Sequence, residues 1–319
     1  MINHFELLPY ITKLDGLLTN VLAGSYGLMI KLVKVMLVCL YSTGMMLSQD
    51  LHILYTQNTN GVLRNCYCPD HPLGGMEKRA TFVAQWRKEH PNTLLFDSGD
   101  FLSFDGNTAN DANMLTAMDT LQYSAVNLGD QEFSNGSDFL SANMEHTSVP
   151  WVASNLRANE TPFSDLPRSR LLEVAKLNIL VMGVLDRASF QFFNRIYGDS
   201  GLAVLDPVIA IQDVYAKAKI HSRIDLVILL SNLGYDGDRE LAHKLDFIDV
   251  IIGGHSQDQF DRPIVIENTI ITQCGKNGQY IGHLGLQVVN GKLKAHSGNL
   301  IPMDLSIKDD QSMLRLIAR

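Results

Sequence analysis

The sequence predicts an α/β fold, and three observations carry that prediction. Short apolar runs recur along the chain, most clearly Leu94–Phe96, Asn178–Val184, Asp225–Leu230 and Ile248–Ile252, each of strand length. Between them lie segments with helical spacing, such as Val208, Ile211, Val214, Tyr215 and Ala218 on one side of Pro207–Ile220. Most of the runs end in a polar loop, and ligands of open α/β sheets sit at the carboxyl ends of strands.

Taken in order, Leu51–Thr56 reads as a strand ending in the loop Gln57-Asn58-Thr59-Asn60-Gly61. Gly74–Lys88 reads as a helix entered through Gly74-Gly75, with Arg79 and Lys88 on its polar face. Residues 93–97 form the central strand, which runs through Ser98-Gly99 to Asp100 in a tight turn. Asn110–Leu121 is a helix candidate, and Ser124–Asn127 a strand leading into Gly129-Asp130-Gln131-Glu132-Phe133. Val149–Ser154 is a short strand, and the continuous apolar run Asn178–Val184 fits a strand covered on both faces. After the helix Pro207–Ile220, Asp225–Leu230 ends at Ser231-Asn232-Leu233-Gly234, and Asp238–Leu245 reads as a short helix. Ile248–Ile252 ends at Gly253-Gly254-His255-Ser256-Gln257. Beyond it, Pro263–Ile266, Thr269–Gln273, Ile281–Val289 and Leu293–His296 alternate in the manner of antiparallel strands.

The chain has 319 residues, of which 46% are hydrophobic and 19% charged, an ordinary globular balance that can bury a full core. Its net charge is −8 with no Lys/Arg cluster, which excludes the electrostatic footprint of a nucleic-acid binder. The 4 cysteines are too few for a disulfide scaffold, and Cys66-Tyr67-Cys68 lacks zinc-knuckle spacing. They read as loop cysteines, with a pairing of one of them to Cys274 as the alternative.

Residues 1–49 differ from the rest. Lys31 and Lys34 precede the apolar run Val35–Leu47, and Ser48-Gln49-Asp50 follow, the layout of a secretory signal. The first 28 residues carry Glu6 and Asp15 and do not resemble a basic leader, so translation is expected to start at Met29. A membrane anchor over Leu28–Leu47 is the weaker reading, because two lysines fall inside it. Either way the folded part is expected outside the cytoplasm: periplasmic, extracellular or membrane-anchored.

Five strand ends thus present Asn58 and Asn60, Asp100, Asp130 and Gln131, Asn232, and His255 and Gln257. Together these frames resemble the calcineurin-like metallophosphoesterases, specifically the N-terminal catalytic domain of the 5′-nucleotidase branch. That family runs Asp-x-His-Gly, Gly-Asp, Gly-Asn-His-Glu-Phe, Ser-His-Leu-Gly and Gly-Gly-His-Ser-His. Here the same frames read Asn58-Thr59-Asn60-Gly61, Gly99-Asp100, Gly129-Asp130-Gln131-Glu132-Phe133, Ser231-Asn232-Leu233-Gly234 and Gly254-His255-Ser256-Gln257. Gly74-Gly75, Lys78-Arg79-Ala80-Thr81 and Ala153-Ser154-Asn155-Leu156 add to the resemblance, which covers 51–305. It implies a four-layer α/β/β/α sandwich of two mixed sheets over residues 50–305. It also makes Lys308–Arg319 the start of a connecting helix to a nucleoside-binding domain that the sequence does not contain.

The resemblance further implies two divalent metals bridged by an aspartate, which activate a water and clamp a phosphate. One metal position would see Asn58, Asn60, Asp100 and Gln257, one carboxylate and three amides, a weak set for zinc, manganese or iron. The other would see Asp100, Asp130, Asn232 and His255, which suits one hard cation such as Mg²⁺, Ca²⁺ or Mn²⁺. Gln131 stands where the family has its proton-donating His and cannot supply a proton near neutral pH; Glu132 is the remaining acid beside it. General acid catalysis is worth about 10²–10⁴-fold. The expectation is therefore an exported domain with a degraded dinuclear site and one divalent cation, not two. It would be weakly active or a binding module for a phosphorylated small molecule, an anion or a protein partner. The alternative is a phosphomonoester hydrolase using one metal.

Overall fold

The computed structural model describes residues 48–159, 162–197 and 201–318, which belong to one compact unit starting at Ser48. The signal-like reading of residues 1–47 and the proposed start at Met29 lie outside the described residues. The unit holds two six-stranded sheets, ordered β14-β13-β1-β2-β3-β4 and β11-β12-β10-β9-β7-β6, and a two-stranded ribbon of β5 and β8.

In the first sheet β1 (Ser48–Thr56), β2 (Thr93–Asp97), β3 (Ala125–Asn127) and β4 (Trp151–Val152) run parallel. The long hairpin β13 (Tyr280–Val289) and β14 (Lys292–Pro302) then closes antiparallel against β1. In the second, β7 (Leu177–Leu185), β9 (Leu226–Asn232), β10 (Val250–Gly253) and β12 (Thr269–Thr272) are parallel. β6 (Ser169–Val174) and β11 (Ile264–Ile266) flank them antiparallel. β5 (Leu156–Ala158) and β8 (Leu202–Val204) form the ribbon.

The alternation of side chains along each strand assigns the layers. Leu51, Ile53, Tyr55, Leu94 and Phe96 point inward and pack against Ile179, Val181, Ile228, Leu230 and Ile252 of the other sheet. The intervening Leu54 and Leu95 face outward to Met76 and Val83 of helix α1 (Met76–Glu89) and Met114 and Met118 of α2 (Thr108–Thr120). On the far side Leu180, Met182, Val227 and Leu229 meet Ile211 and Val214 of α5 (Pro207–His221) and Leu241 of α6 (Gly234–Lys244). The result is an α/β/β/α sandwich. Helices α3 (Ser137–His146), α4 (Arg187–Tyr197) and α7 (Gln311–Leu316) complete it. Met313 of α7 is buried in the same layer as α1.

Four expectations need correction. The last four strands are not one antiparallel set: β12 pairs parallel with β10, whereas β13 and β14 cross to the other sheet. β14 runs on to Pro302, past the expected end at His296, because His296, Ser297 and Asn299 are exposed polar residues that hydropathy does not mark as strand. Cys66 and Cys68 are joined to each other, and Cys274 is a buried free thiol. Helix α6 also begins earlier than Asp238, at Gly234.

Candidate metal centre

All the parallel strands that end in the singled-out loops end at one edge. β1 leads to Asn58 and Asn60, β2 to Asp100, β3 to Asp130, β9 ends on Asn232 itself and β10 leads to His255 and Gln257. The backbone there is unusual. Asn58 (φ 43°), Asn60 (φ 53°), Asp100 (φ 58°), His255 (φ 68°) and Gln257 (φ 60°) all occupy the left-handed region. Asn, Asp and His tolerate it better than most side chains, and such conformations persist where surrounding contacts over-determine them. Those contacts are visible: the amides of Asn58 and Asn60 donate to the carbonyls of Gly99 (3.0 Å) and Asp100 (3.0 Å), stitching the first two loops together.

Asp100, Asp130 and His255 converge. One potential ligand atom from each lies within 4.8 Å of the others. His255 Nδ1 is 3.0 Å from Asp130 Oδ1 and 3.6 Å from Asp100 Oδ2. Asp100 is fully buried and Asp130 nearly so. The Asp100 and Asp130 carboxylates together push the His255 imidazole up to about 10. Burial pushes Asp130 upward, opposed by its bond to His255.

Asn232 completes the group. Its side chain is fully buried, and neither amide atom has a hydrogen-bond partner among the described residues. Leaving such an amide unpaired costs about 1–3 kcal/mol. A Cβ at Gly129 would overlap Asp100 Oδ1 and come within 2.8 Å of Asn232 Nδ2, so the glycine makes room for both groups. Two carboxylates, an imidazole and an unpaired amide form a donor set that fits one hard divalent cation.

The other half of the frame is different. Asn58 Nδ2 donates to Asp100 Oδ2 (3.0 Å), and Asn58 Oδ1 accepts the His255 backbone N–H (3.0 Å). Asn60 Nδ2 donates to Asn277 Oδ1 (2.8 Å). Gln257 is half-buried, two residues beyond His255 in the same loop. The structure gives Asn58 a bracing role, tying the Asp100 carboxylate to the His255 loop, with its oxygen already engaged.

Gln131 lies beside Asp100, its backbone N–H 3.3 Å from Asp100 Oδ1, and its buried side-chain oxygen has no hydrogen-bond partner among the described residues. Glu132 is engaged by the main chain. Its fully buried carboxylate accepts the N–H groups of Gly129 (2.6 Å), Asp100 (3.0 Å), Phe101 (2.9 Å) and Leu102 (3.2 Å). It anchors two loops.

Three supporting groups were not placed at the site from sequence, Arg79 among them, which was expected on the polar face of its helix and is buried. Ser189 Oγ lies 3.3 Å from His255 Nε2, and Ser189 donates from both N–H and hydroxyl to Asp186 Oδ2 (2.7 and 2.9 Å). The signal was Asp186-Arg187-Ala188-Ser189, an Asp three residues before a Ser at a helix start. Fully buried Arg79 donates to Thr59 Oγ1 (2.9 Å) and Tyr123 OH (3.1 Å), which holds the loop between Asn58 and Asn60. Fully buried Asp238 packs against Gly253 beside Gln273, under the His255 loop, and burial pushes its carboxyl up to about 8.

The fold is that of a metallophosphoesterase-like domain, and its strand ends bring two acids and an imidazole together. No protein-family model matches the chain. Its homologues are 5′-nucleotidases and calcineurin-like phosphoesterases. An apyrase of Anopheles gambiae is 26% identical over 83% of this chain and 52% of its own length. The human 5′-nucleotidase is 24% identical over 83% of this chain and 51% of its own. The chain thus spans about half the length of these curated relatives. Among solved structures, a Thermus thermophilus 5′-nucleotidase precursor superimposes with TM-score 0.74 at 22% identity, covering 84% of this chain and 58% of that one. The calcineurin-like phosphoesterase YfkN of Bacillus subtilis gives 0.70 at 19% identity over 85% of this chain and 96% of that one.

Proposed function

We propose that this chain is an exported, phosphate-ligand-binding domain of 5′-nucleotidase type that holds one divalent cation at Asp100, Asp130, Asn232 and His255. In this reading the second metal position of the frame is vacated in favour of the Asn58 brace. The observation that carries it is the contrast between two amides. Asn232 is buried with no partner among the described residues, whereas Asn58 is bonded at both ends to Asp100 and His255. When bound, the cation would supply Lewis-acid polarisation of a phosphoryl oxygen.

The chain's own residues support binding better than turnover. Gln131 can orient an oxygen through its amide but has no proton to give a leaving alkoxide, and Glu132 is committed to four backbone amides. Slow phosphomonoester hydrolysis is the second reading, favoured by the 4.8 Å convergence of Asp100, Asp130 and His255. The likeness to snake venom 5′-nucleotidases and the signal-like segment support the location. Among the described residues, no helix is long and apolar enough to cross a membrane.

The test is metal content per chain after loading with Mn²⁺ and desalting, alongside turnover of an aryl phosphate. The expected result is one Mn²⁺, lost in Asp130→Asn and in His255→Asn, with turnover at least 10²-fold below a full dinuclear relative. Two Mn²⁺ per chain would overturn the brace, and none would overturn the centre.

A further inference from the structure

A second group of imidazoles lies on the outer face of the first sheet, away from the loops. His52 and His283 sit on neighbouring strands β1 and β13, two residues out of register and so on the same face, because His52 pairs with Gly285 and Leu54 with His283. His52 Nδ1 and His283 Nε2 are 3.1 Å apart. His90, just past the end of α1, packs at a tilt on His52, their ring centroids 4.3 Å apart. Trp86, one turn earlier on α1, packs on His90 (4.4 Å) and His283 (4.7 Å). Asp50 lies one strand repeat before His52 and, with His52, Gln287 and Ser297, lines a cleft of about 310 Å³. Counting about 3.3 Å per residue, His52 is up to ~20 Å of chain before Asn58, so the two groups do not share ligands.

We infer that His52, His283 and His90 form a binding site for an imidazole-seeking transition metal, such as Cu²⁺, Ni²⁺ or Zn²⁺. Two nitrogens bound to one ion at about 2.0–2.1 Å stand roughly 2.9–3.4 Å apart in square-planar or tetrahedral geometry, which brackets the spacing already present. The orientation is also suited to it. Asn299 Oδ1 lies 3.3 Å from His283 Nδ1 and accepts its N–H, leaving the Nε2 lone pair aimed at His52. An outer hydrogen bond of this kind fixes the tautomer of metal-binding histidines. On binding, His52 turns its Nδ1 lone pair to the ion and carries its single ring proton on Nε2, so no proton need leave the site. His90 joins by rotation of its side chain. The ion would clamp β1, β13 and the end of α1 together. The donor set is chemically unlike the carboxylate-rich centre, so Mg²⁺ and Ca²⁺ would occupy only the latter.

Trp86 makes the inference directly testable. The chain has 2 tryptophans, and Trp151 is buried elsewhere against Phe101. Cu²⁺ is titrated into full-length Trp151→Phe protein in excess Mg²⁺, with Trp86 emission as the readout. The expected result is saturable quenching, weakened at least tenfold by His283→Gln or His52→Gln, relieved by added Zn²⁺ and unchanged by His255→Asn. Equal quenching in the His283→Gln variant, or loss of quenching with His255→Asn, overturns the site. Should Trp151→Phe not fold, calorimetric Zn²⁺ titration of His255→Asn against His255→Asn/His283→Gln gives the same decision. One class of binding event must disappear in the double variant.

Discussion

Replacing Asp238 by Asn should abolish a large acid-dependent component of this domain's stability. Asp238 lies on α6 with no exposed surface, and neither oxygen has a hydrogen bond of good geometry among the described residues. Burial pushes its carboxyl from an ordinary 3.8 up to about 8, against the opposing pull of Ser231 and Gln273. Between those two values the folded chain keeps a proton that the unfolded chain has released. Stability therefore falls as pH rises through that window and is highest at its acid end. At about 1.4 kcal/mol per pH unit the full span corresponds to about 6 kcal/mol, an upper figure for a pocket that can relax. An asparagine has nearly the same shape and no charge to bury. The variant should match the parent at pH 4 to within about 1 kcal/mol and exceed it at pH 8 by about 4–6 kcal/mol. Urea unfolding of both proteins at pH 4, 6 and 8, with EDTA present, reads the difference directly, since other titrating groups cancel in it. Parallel stability curves for the two proteins would refute the assignment of a buried, proton-holding Asp238.

Two further predictions concern the loops. Glu132→Ala removes the acceptor shared by four backbone amides and should cost about 3–5 kcal/mol in urea unfolding, with Phe101 and Leu102 losing amide-exchange protection. Unchanged protection at those two amides would contradict the anchor role. Asn58→Asp places a carboxylate where an amide N–H now meets Asp100 Oδ2 at 3.0 Å. It should lower the thermal midpoint without metal, by about 2–3 kcal/mol equivalent, and recover most of it in Mn²⁺ as a second metal position is restored. Equal midpoints in the absence of metal would show that the brace carries no weight.

Much of this architecture was legible because burial and sequence pattern agree. Leu94, Leu95 and Phe96 are apolar on both faces since β2 lies between a helical layer and a second sheet, and the acid that follows marks the strand's end. The loops were legible because polar residues directly after a fully buried strand have few places to go except the sheet edge. What stayed hidden depends on tertiary context. The outer positions of β14 are polar because no helix covers them, so the strand looked like a loop after His296. That Asn58 braces while Asn232 stands unpaired is a matter of which groups lie opposite, and the two amides are indistinguishable in sequence. Ser189 reaches His255 from a helix for which no expectation was formed.

The left-handed turns at the strand ends also bear on how such a domain can change. At 58, 60, 100, 255 and 257 the main chain itself selects its occupants, since a β-branched or bulky apolar side chain would be strained there. Exchange at these positions is thereby channelled among asparagine, aspartate, histidine and their kind, whatever happens to the metal. A polar cleft is then the default inheritance of the backbone, and its polarity alone is no record of continued catalysis. The same channel runs in both directions: a loop that holds its path without help from a cation can lose a ligand, or regain one, by a change of side chain alone.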